Sequence, residues 1–211
     1  MAGYFITFEG IDKSGKSTQA RLLAERLGKA GLEVVLTREP GGTALGNQIR
    51  SLVLDHIPET SVAPIAEMLL FAADRAQHVE ELIRPNLQAG KVVISDRYVE
   101  STLAYQGYGR GMDLEVLQSV QEIATEGLKP DLTFVIDVEV RTFRSRQDES
   151  DRMESSPDAY YEEIRSGYEK LQHSDSARFV CCDGKTEVKR LSEEIFKEVE
   201  SRFSIREFRN N

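Results

Sequence analysis

Two glycines, a lysine and a serine near the start of the chain have the spacing of a phosphate-binding loop. Gly10, Gly15, Lys16 and Ser17 fit the pattern G-x-x-x-x-G-K-[ST] without a mismatch. In such a loop, backbone N–H groups turn inward around phosphate oxygens, the lysine reaches the β- and γ-phosphates, and the serine hydroxyl ligates Mg²⁺. The residues predicted to bind a nucleoside triphosphate here are Gly10, Ile11, Asp12, Lys13, Ser14, Gly15, Lys16, Ser17 and Thr18.

The stretches on either side of this loop supply the context that the pattern requires. Residues 4–9 read as a strand before the loop, and Leu22, Leu23 and Leu27 indicate a helix after it. The alternative is a chance glycine turn whose helix is capped by Ser17. Because both flanking elements are present, the sequence favours the phosphate-binding interpretation.

Apolar, β-branched runs recur along the rest of the chain and alternate with helical patterns. Their near-continuous hydrophobicity is typical of strands that are buried on both faces. Such alternation predicts an α/β fold of three layers, in which a five-stranded parallel sheet is covered by helices on both faces. The predicted strands are 4–9, 33–37, 91–95, 132–137 and 177–182, and the helical patterns include Ile65, Met68, Leu69 and Ala72, and Val188, Leu191, Ile195 and Val199.

Length and composition narrow the classes of protein. The chain has 211 residues, which fits a single domain over 1–211 with a sizeable core. It carries 27 Lys and Arg against 36 Asp and Glu, and the net charge of -9 argues against a nucleic-acid partner. No apolar run reaches about 18 residues, so no membrane span is predicted. The N-terminus also lacks the pattern of a secretory signal.

The cysteines and histidines indicate neither a disulfide nor a metal site. Cys181 and Cys182 are adjacent in a predicted strand and would point to opposite faces, so we expect buried structural thiols and a cytoplasmic protein. His56, His78 and His173 have no metal-ligand spacing, and His78 is expected on the surface of its helix.

Four further stretches carry a specific family resemblance. They are TREPGGT (37–43), FAADR (71–75), SDRYVESTLAYQGYGRG (95–111) and DRME (151–154). Together with the phosphate-binding loop, and in this order, they closely resemble the thymidylate kinase family from about residue 4 to residue 172. The resemblance implies a P-loop kinase fold with a small mobile lid, ATP and Mg²⁺, dTMP as phosphate acceptor, dTDP as product, and a homodimer.

Arg38 and the turn after it are the candidate phosphate end of the acceptor site. Arg38 leaves the second predicted strand, and a guanidinium is a planar, permanently charged fork that suits a phosphate. The resemblance implies that it holds the dTMP phosphate, with Pro40 in the turn beside it. The alternative is a surface arginine paired with Glu39. A cis peptide bond at Glu39–Pro40 is compatible with this turn.

Phe71 and Arg75 are the candidates for binding the base of the acceptor nucleotide. They are four residues apart on a predicted helix and therefore share a face. The resemblance implies that the ring stacks on thymine and that the guanidinium donates to its O4. The alternatives are core packing for Phe71 and a helix-surface ion pair with Asp74 or another neighbour for Arg75.

The loop after the third predicted strand supplies further candidate residues. The resemblance implies that Asp96 binds Mg²⁺ through water and that Arg97 bridges the phosphates of donor and acceptor. It also implies that Ser101 lies near the base, that Tyr105 lies against the sugar, and that Gln106 adds a polar contact.

The polar segment 144–158 is either a solvated loop or a mobile lid that brings arginines over the phosphates. Some members of the family carry a catalytic arginine beside the acid at Asp12, which meets the sugar 3′-hydroxyl, and others carry it in the lid. Here Lys13 follows Asp12, so we expect the arginine in the lid, with Arg152 first and Arg146 next. The predicted catalytic residues are Lys16, Asp12, Arg97, Arg152 and Arg146; Arg141 and Arg144 cover the adenine or pair on the helix surface, and Gly184 contacts adenine.

Two other functions remain open from the sequence. One is a kinase for another nucleotide or for a nucleoside, against which Arg38 favours a phosphorylated acceptor. The other is an ATP-binding switch without kinase activity, which would not need Phe71, Arg75 and the lid arginines together. ATP consumption with and without dTMP separates these possibilities.

Overall fold

A single parallel sheet organises the chain. In a computed structural model of the protein, the described residues are 3–55, 62–146 and 156–203. All strand pairs are parallel, and the strands follow the order β2-β3-β1-β4-β5 across the sheet. The strands are β1 (Tyr4–Glu9), β2 (Val34–Arg38), β3 (Val92–Asp96), β4 (Leu132–Asp137) and β5 (Phe179–Asp183).

Helices connect the strands and lie on both faces of the sheet. Two segments, Val79–Ile83 and Leu103–Gly109, have the wider turns of a π-helix and continue α3 and α5 respectively. The α-helices are α1 (Lys16–Lys29), α2 (Ala44–Leu54), α3 (Pro64–His78), α4 (Arg84–Gln88), α5 (Val99–Thr102), α6 (Leu114–Thr125), α7 (Val140–Ser145), α8 (Asp158–Ser174) and α9 (Val188–Phe203).

The alternation of side chains along β1 builds two cores. Ile6 and Phe8 face one side, where α1 and α9 cover the sheet. Phe5 faces the other side and packs against the segment Val79–Ile83 and Tyr98. Side chains of α7 and α8 pack over β4 and β5 on this second side. The predicted three-layer α/β fold with a five-stranded parallel sheet is therefore confirmed.

The strand register places candidate site residues together at the carboxyl-terminal edge of the sheet. Arg38 pairs with Asp96 between β2 and β3, and Phe8 pairs with Asp96 between β1 and β3. β2 and β3 thus end one residue later than the sequence predicted, and Arg38 and Asp96 are the last ladder residues rather than loop residues. In open parallel sheets, ligands bind at the carboxyl ends of the strands, so this edge is the candidate site.

Burial corrects one expectation about helix α3 and shows which of its apolar residues face inward. Met68 and Ala72 are buried, but Ile65 and Leu69 are 63% and 51% exposed although they share the helical pattern. His78, expected on the helix surface, is fully buried, so that expectation is wrong. Periodicity located the helix but did not decide which of its stripes faces the sheet.

The two cysteines differ from the expectation of two buried thiols. Both are free thiols, as predicted, and Cys182 is buried, but Cys181 is exposed. Adjacent strand residues face opposite sides: Cys182 packs in the core beneath α1 and α9, whereas Cys181 lies on the α8 side of this edge strand, in an open cleft beside Arg165 and Glu169. In the part of the chain that the structure describes, no helix is long and apolar enough to cross a membrane.

Replacing Phe134 with alanine is expected to lower the free energy of unfolding by about 3–5 kcal/mol, because the cavity cannot close in a packed core. Phe134 is fully buried in β4 and its ring stacks on Phe8 at 5.2 Å between centroids. Urea denaturation followed by circular dichroism measures the loss. The control Lys197→Ala, on the exposed side of α9, should stay within about 0.5 kcal/mol of the unmodified protein. A Phe134→Ala loss as small as the control would contradict this core.

Candidate active site

The loop between β1 and α1 has the backbone of a phosphate cradle. Gly10 and Gly15 have φ angles of 130° and 107°, which a side chain would strain. At Gly10 an added Cβ would also collide with the carbonyl oxygen of Ile136. Gly15 immediately precedes α1, so the free N–H groups of the first helical turn face the loop. The predicted glycine roles therefore have a structural basis.

Lys16 is buried beneath the loop. Its ammonium donates to the carbonyl oxygen of Ile11 at 2.7 Å. Burial, assisted by the positive charge of Arg97, lowers the pKa of Lys16 from 10.5 to about 8. An anion bound in the loop would favour the charged form of the lysine. The loop is thus arranged to gain positive charge when phosphate binds.

Ser17 and Asp96 form a candidate divalent-cation site. The Ser17 hydroxyl donates to Oδ2 of Asp96. Oδ1 of Asp96 is buried and has no hydrogen-bond partner among the described residues. Hydroxyl and carboxylate oxygens are the ligands that Mg²⁺ prefers, so the residues present fit that ion.

Arg97 connects the loop to the neighbouring cleft. It has a positive φ of 78° and donates to the carbonyl oxygen of Gly10 at 3.2 Å and to the Ser101 hydroxyl at 3.0 Å. It also forms an ion pair with Asp12, whose other carboxylate oxygen accepts from the Tyr105 hydroxyl at 2.8 Å. Burial raises the pKa of Asp12, but the positive charges of Arg97 and Lys16 and the hydrogen bonds from Tyr105 and Arg97 together outweigh burial, so the pKa lies below its usual value. Asp12 is therefore an anion at neutral pH.

A cleft beside the loop collects almost all of the predicted acceptor residues. The exception is Arg38, which lies in an adjoining cleft together with Lys16, Ser17 and Asp96. The two clefts share Asp12, Glu39, Arg50 and Arg97. The first cleft is lined by the predicted Asp12, Pro40, Phe71, Arg75, Arg97, Ser101, Tyr105 and Gln106. It is also lined by Glu39, which the sequence offered only as a partner of Arg38, and by Arg50, Leu54 and Thr102, which the sequence did not single out.

The turn at Glu39 and Pro40 has the cis peptide bond that the sequence allowed. Arg38 is exposed toward the loop cleft, whereas Glu39 is buried and directed toward α3. Glu39 pairs with Arg75 at 2.7 Å. The alternative in which Arg38 is a surface arginine paired with Glu39 therefore does not describe this structure.

Arg75 is buried rather than paired on a helix surface with Asp74. Its Nε and Nη2 atoms face Glu39 at 2.8 and 2.7 Å. Its Nη1 donates to the Thr102 hydroxyl at 3.0 Å and to the Gln121 side-chain oxygen, and Nη2 donates to the carbonyl oxygen of Tyr98 at 2.8 Å. The candidate base reader is thus held in one orientation at the inner end of the cleft.

Arg146 and Gly184 meet on the outer side of the loop. Arg146 donates to the carbonyl oxygen of Lys13 at 3.0 Å and to that of Gly184 at 3.1 Å. The two residues predicted for the lid and for the adenine contact are therefore neighbours. Arg152, the first choice for the catalytic arginine, and positions 147–155 of the predicted lid lie outside the described residues.

The two remaining arginines of this region pair with acids. Arg144 donates to Asp158 at 2.8 Å, and Arg141 forms an ion pair with Glu139. Arg141 and Arg144 therefore form the surface ion pairs that were one of their two predicted roles.

Glu9 is a buried acid beside the site that no sequence motif singled out, and it lines neither cleft. It accepts from the backbone N–H of Tyr98 at 2.7 Å, from the Ser101 hydroxyl at 2.6 Å and from the Tyr168 hydroxyl at 2.9 Å. Burial, with the nearby charge of Glu100, raises its pKa from 4.5 to about 7. The available signal was an acid at the end of an otherwise apolar strand, immediately before Gly10.

The strand order, the glycine loop at the end of the central strand and the adjoining acceptor cleft define a P-loop nucleotide kinase. The family model for thymidylate kinase matches residues 8–195. The chain therefore belongs to the thymidylate kinase family, as the sequence resemblance predicted, and members of this family phosphorylate dTMP to dTDP with ATP.

Individual relatives agree over nearly the whole chain. The thymidylate kinase of Halothermothrix orenii is 45% identical over 205 residues, covering 94% of this chain and 97% of the relative. That of Nostoc punctiforme is 44% identical, covering 93% and 97%. The crystal structure of thymidylate kinase from Ehrlichia chaffeensis has a TM-score of 0.77 at 34% identity, covering 94% of this chain and 99% of that one.

Replacing Glu9 with glutamine is expected to change how stability depends on pH. The folded-state pKa is raised to about 7, so between pH 4.5 and 7 the folded protein binds more protons than the unfolded chain. The stability of the unmodified protein should therefore fall as pH rises through this window relative to Glu9→Gln, by on the order of 3 kcal/mol. Urea denaturation at several pH values measures the difference, and a pH-independent difference would contradict the raised pKa.

Proposed function

We propose that the protein transfers the γ-phosphoryl group of ATP to the phosphate of dTMP, giving ADP and dTDP. The observation that carries this proposal is the junction of two clefts at Asp12 and Arg97. One cleft contains the phosphate-binding loop and Arg38, and the other has the aromatic and polar lining that suits a pyrimidine nucleoside. Family membership supports the same acceptor.

On the donor side, Lys16 contacts the β- and γ-phosphates and the loop N–H groups hold the remaining phosphate oxygens. Ser17 would ligate Mg²⁺ and Asp96 would hold it through water, and the ion would supply positive charge that neutralises the phosphates. The unpartnered oxygen of Asp96 supports this assignment. Gly184 contacts the adenine.

On the acceptor side, Arg38 binds the dTMP phosphate and Arg97 bridges the donor and acceptor phosphates. Phe71 stacks on thymine, and Arg75 faces its O4 edge. Support for these roles comes from the shared lining of the cleft and from the orientation of Arg75. The contacting groups on the remaining edges are Pro40, Ser101, Tyr105 and Gln106, with Asp12 at the sugar 3′-hydroxyl.

Phosphoryl transfer requires alignment and charge neutralisation more than covalent help from the protein. The attacking group is an ionised phosphate oxygen, so no general base is needed. We take the chain as one kinase domain over 1–211 with a lid at about 144–158, whose Arg152 or Arg146 stabilises the moving group when the lid closes. Closure also excludes water, which would otherwise accept the phosphoryl group.

ADP release with ATP and Mg²⁺ is expected to be fast with dTMP, weaker with dUMP and absent with thymidine. A single methyl group in an apolar pocket discriminates by roughly 10–200-fold, so dUMP should remain a poor substrate. Thymidine lacks the phosphate that accepts the transfer. A coupled assay measures the rates. Turnover of thymidine would indicate a nucleoside kinase, and bound ATP without stimulation by any acceptor would indicate a nucleotide switch.

We further propose that the protein is a homodimer through helices α2, α3 and α6. Helix α3 packs between the other two. These three helices carry six of the eight large apolar side chains that are exposed among the described residues. Exposed apolar side chains that are concentrated on neighbouring packed helices are typical of a protein interface. The six side chains are Leu45, Leu52, Ile65, Leu69, Val116 and Ile123.

We also propose a cytoplasmic location. The exposed free thiol of Cys181 is suited to a reducing compartment. The proposed substrates, ATP and dTMP, fit the same compartment.

The double variant Leu69→Glu/Ile123→Glu is expected to convert the dimer into a monomer of 23.8 kDa, because two charges on each face would be buried without partners. Sedimentation velocity measures the mass. The control Val188→Glu changes an exposed apolar residue on α9, outside this face, and should remain a dimer. A monomeric unmodified protein, or a double variant that stays dimeric, would contradict the proposed interface.

A further inference from the structure

Glu39 belongs to the turn that carries Arg38, yet its side chain points away from the phosphate cleft. Its backbone N–H donates to the carbonyl oxygen of Asp96 at 3.0 Å, which ties the turn to the end of β3. Its carboxylate is only 2% exposed and lies against helix α3. The backbone of Glu39 therefore contacts the part of the site predicted to bind phosphate, and its side chain contacts the part predicted to bind the base.

The two carboxylate oxygens of Glu39 hold two different residues of α3. Oε2 accepts from Nε of Arg75 at 2.8 Å, and Oε1 lies 2.9 Å from Nδ1 of His78. The other ring nitrogen of His78 lies 2.7 Å from the hydroxyl of Thr37, in the strand that leads to the turn. The chain of contacts thus runs from β2 through His78 and Glu39 to Arg75.

The same helix holds the glycines of the turn. Asp74 accepts from the backbone N–H of Gly41 at 2.9 Å. A Cβ at Gly42 would lie 2.6 Å from the Thr37 hydroxyl and 2.7 Å from Nε2 of His78, so the backbone passes in close contact with this cluster. The turn and α3 are therefore packed as one unit.

Glu39 is the main counter-charge of Arg75. Arg75 is 2% exposed, and a guanidinium removed from water is costly without a paired acid. The other acid nearby, Asp74, has its pKa raised to about 7 by burial and by the charge of Glu39. Glu39, which contacts the guanidinium directly at 2.7 Å, is therefore the acid that pairs with Arg75.

We propose that Glu39 is a positioning residue that sets base preference by holding Arg75 in one orientation while fixing the turn that carries Arg38. The inference rests on the proposed function, in which the cleft accepts a pyrimidine nucleotide. A guanidinium fixed in this way presents its positive charge to a base oxygen and disfavours an amino group at the same position. If Glu39 no longer holds it, Arg75 can move aside and admit cytosine.

The test compares Glu39→Gln with a matched variant, Glu100→Gln. Glu100 is also buried and pairs with an arginine, Arg178, at 2.7 Å, but it does not line either cleft. For Glu39→Gln we expect KM for dTMP to rise about 10- to 100-fold, the size expected for losing a charged hydrogen bond. The preference for dTMP over dCMP should fall, while kcat at saturating dTMP and KM for ATP stay near those of the unmodified enzyme. Glu100→Gln should leave KM for dTMP and the preference for dTMP over dCMP unchanged.

A double-mutant cycle tests whether Glu39 acts through Arg75. Arg75→Met should itself reduce the preference for dTMP over dCMP. The double variant Glu39→Gln/Arg75→Met should have the same preference as Arg75→Met alone, because coupled residues are non-additive. Glu39→Asp keeps the charge and should recover part of the preference. The proposal would be overturned if the effects of Glu39→Gln and Arg75→Met on base preference multiplied in the double variant. It would also be overturned if Glu39→Gln lowered kcat and left the base preference unchanged.

Two further comparisons separate misfolding, failure of the proposed function and failure of the proposed role of Glu39. Circular dichroism checks folding; if Glu39→Gln does not fold, His78→Gln removes the histidine side of the same network and should still raise KM for dTMP and lower base preference. An unmodified enzyme that does not turn over dTMP would overturn the proposed function. An active unmodified enzyme whose folded variants keep its KM and base preference would overturn the role of Glu39 alone.

Discussion

The ion pair between Arg97 and Asp12 is the interaction on which the rest of the site depends. It lies where the glycine loop meets the acceptor cleft, and Arg97 reaches it from a left-handed backbone at the end of β3. Tyr105 completes the pair from the segment after α5. Because a buried charge is costly without its partner, these three elements must fold together before either cleft is complete.

Local charge at the site differs from the charge of the whole chain. The protein carries a net charge of -9, yet Lys16, Arg38 and Arg97 converge where two phosphorylated ligands would meet. Arg97 is held by Asp12, and burial, together with the positive charge of Arg97, lowers the pKa of Lys16. Binding of phosphates replaces repulsion among cations with attraction, which couples ligand binding to the order of the site.

Much of the fold and the site followed from local patterns. The five strands were predictable because strands buried on both faces are almost wholly apolar, and the loop was predictable because few residue types allow its backbone. The ends of the strands were not predictable in this way, since the pairing of β2 with β3 extends to Arg38 and Asp96. The stripe of α3 that faces inward, and the exposure of Cys181, depended on neighbouring elements that periodicity does not identify.

The sequence by itself determined the family, the parallel sheet and the residues that gather at its edge, because each was encoded in a short motif or a hydrophobic period. Only the tertiary structure decided which partners those residues have. Glu9, Glu39 and His78 are polar residues with no motif of their own, and their significance comes from burial against Ser101, Arg75 and Thr37, which are distant in sequence. Burial makes such groups pair, and chain topology, rather than local sequence, selects the partner.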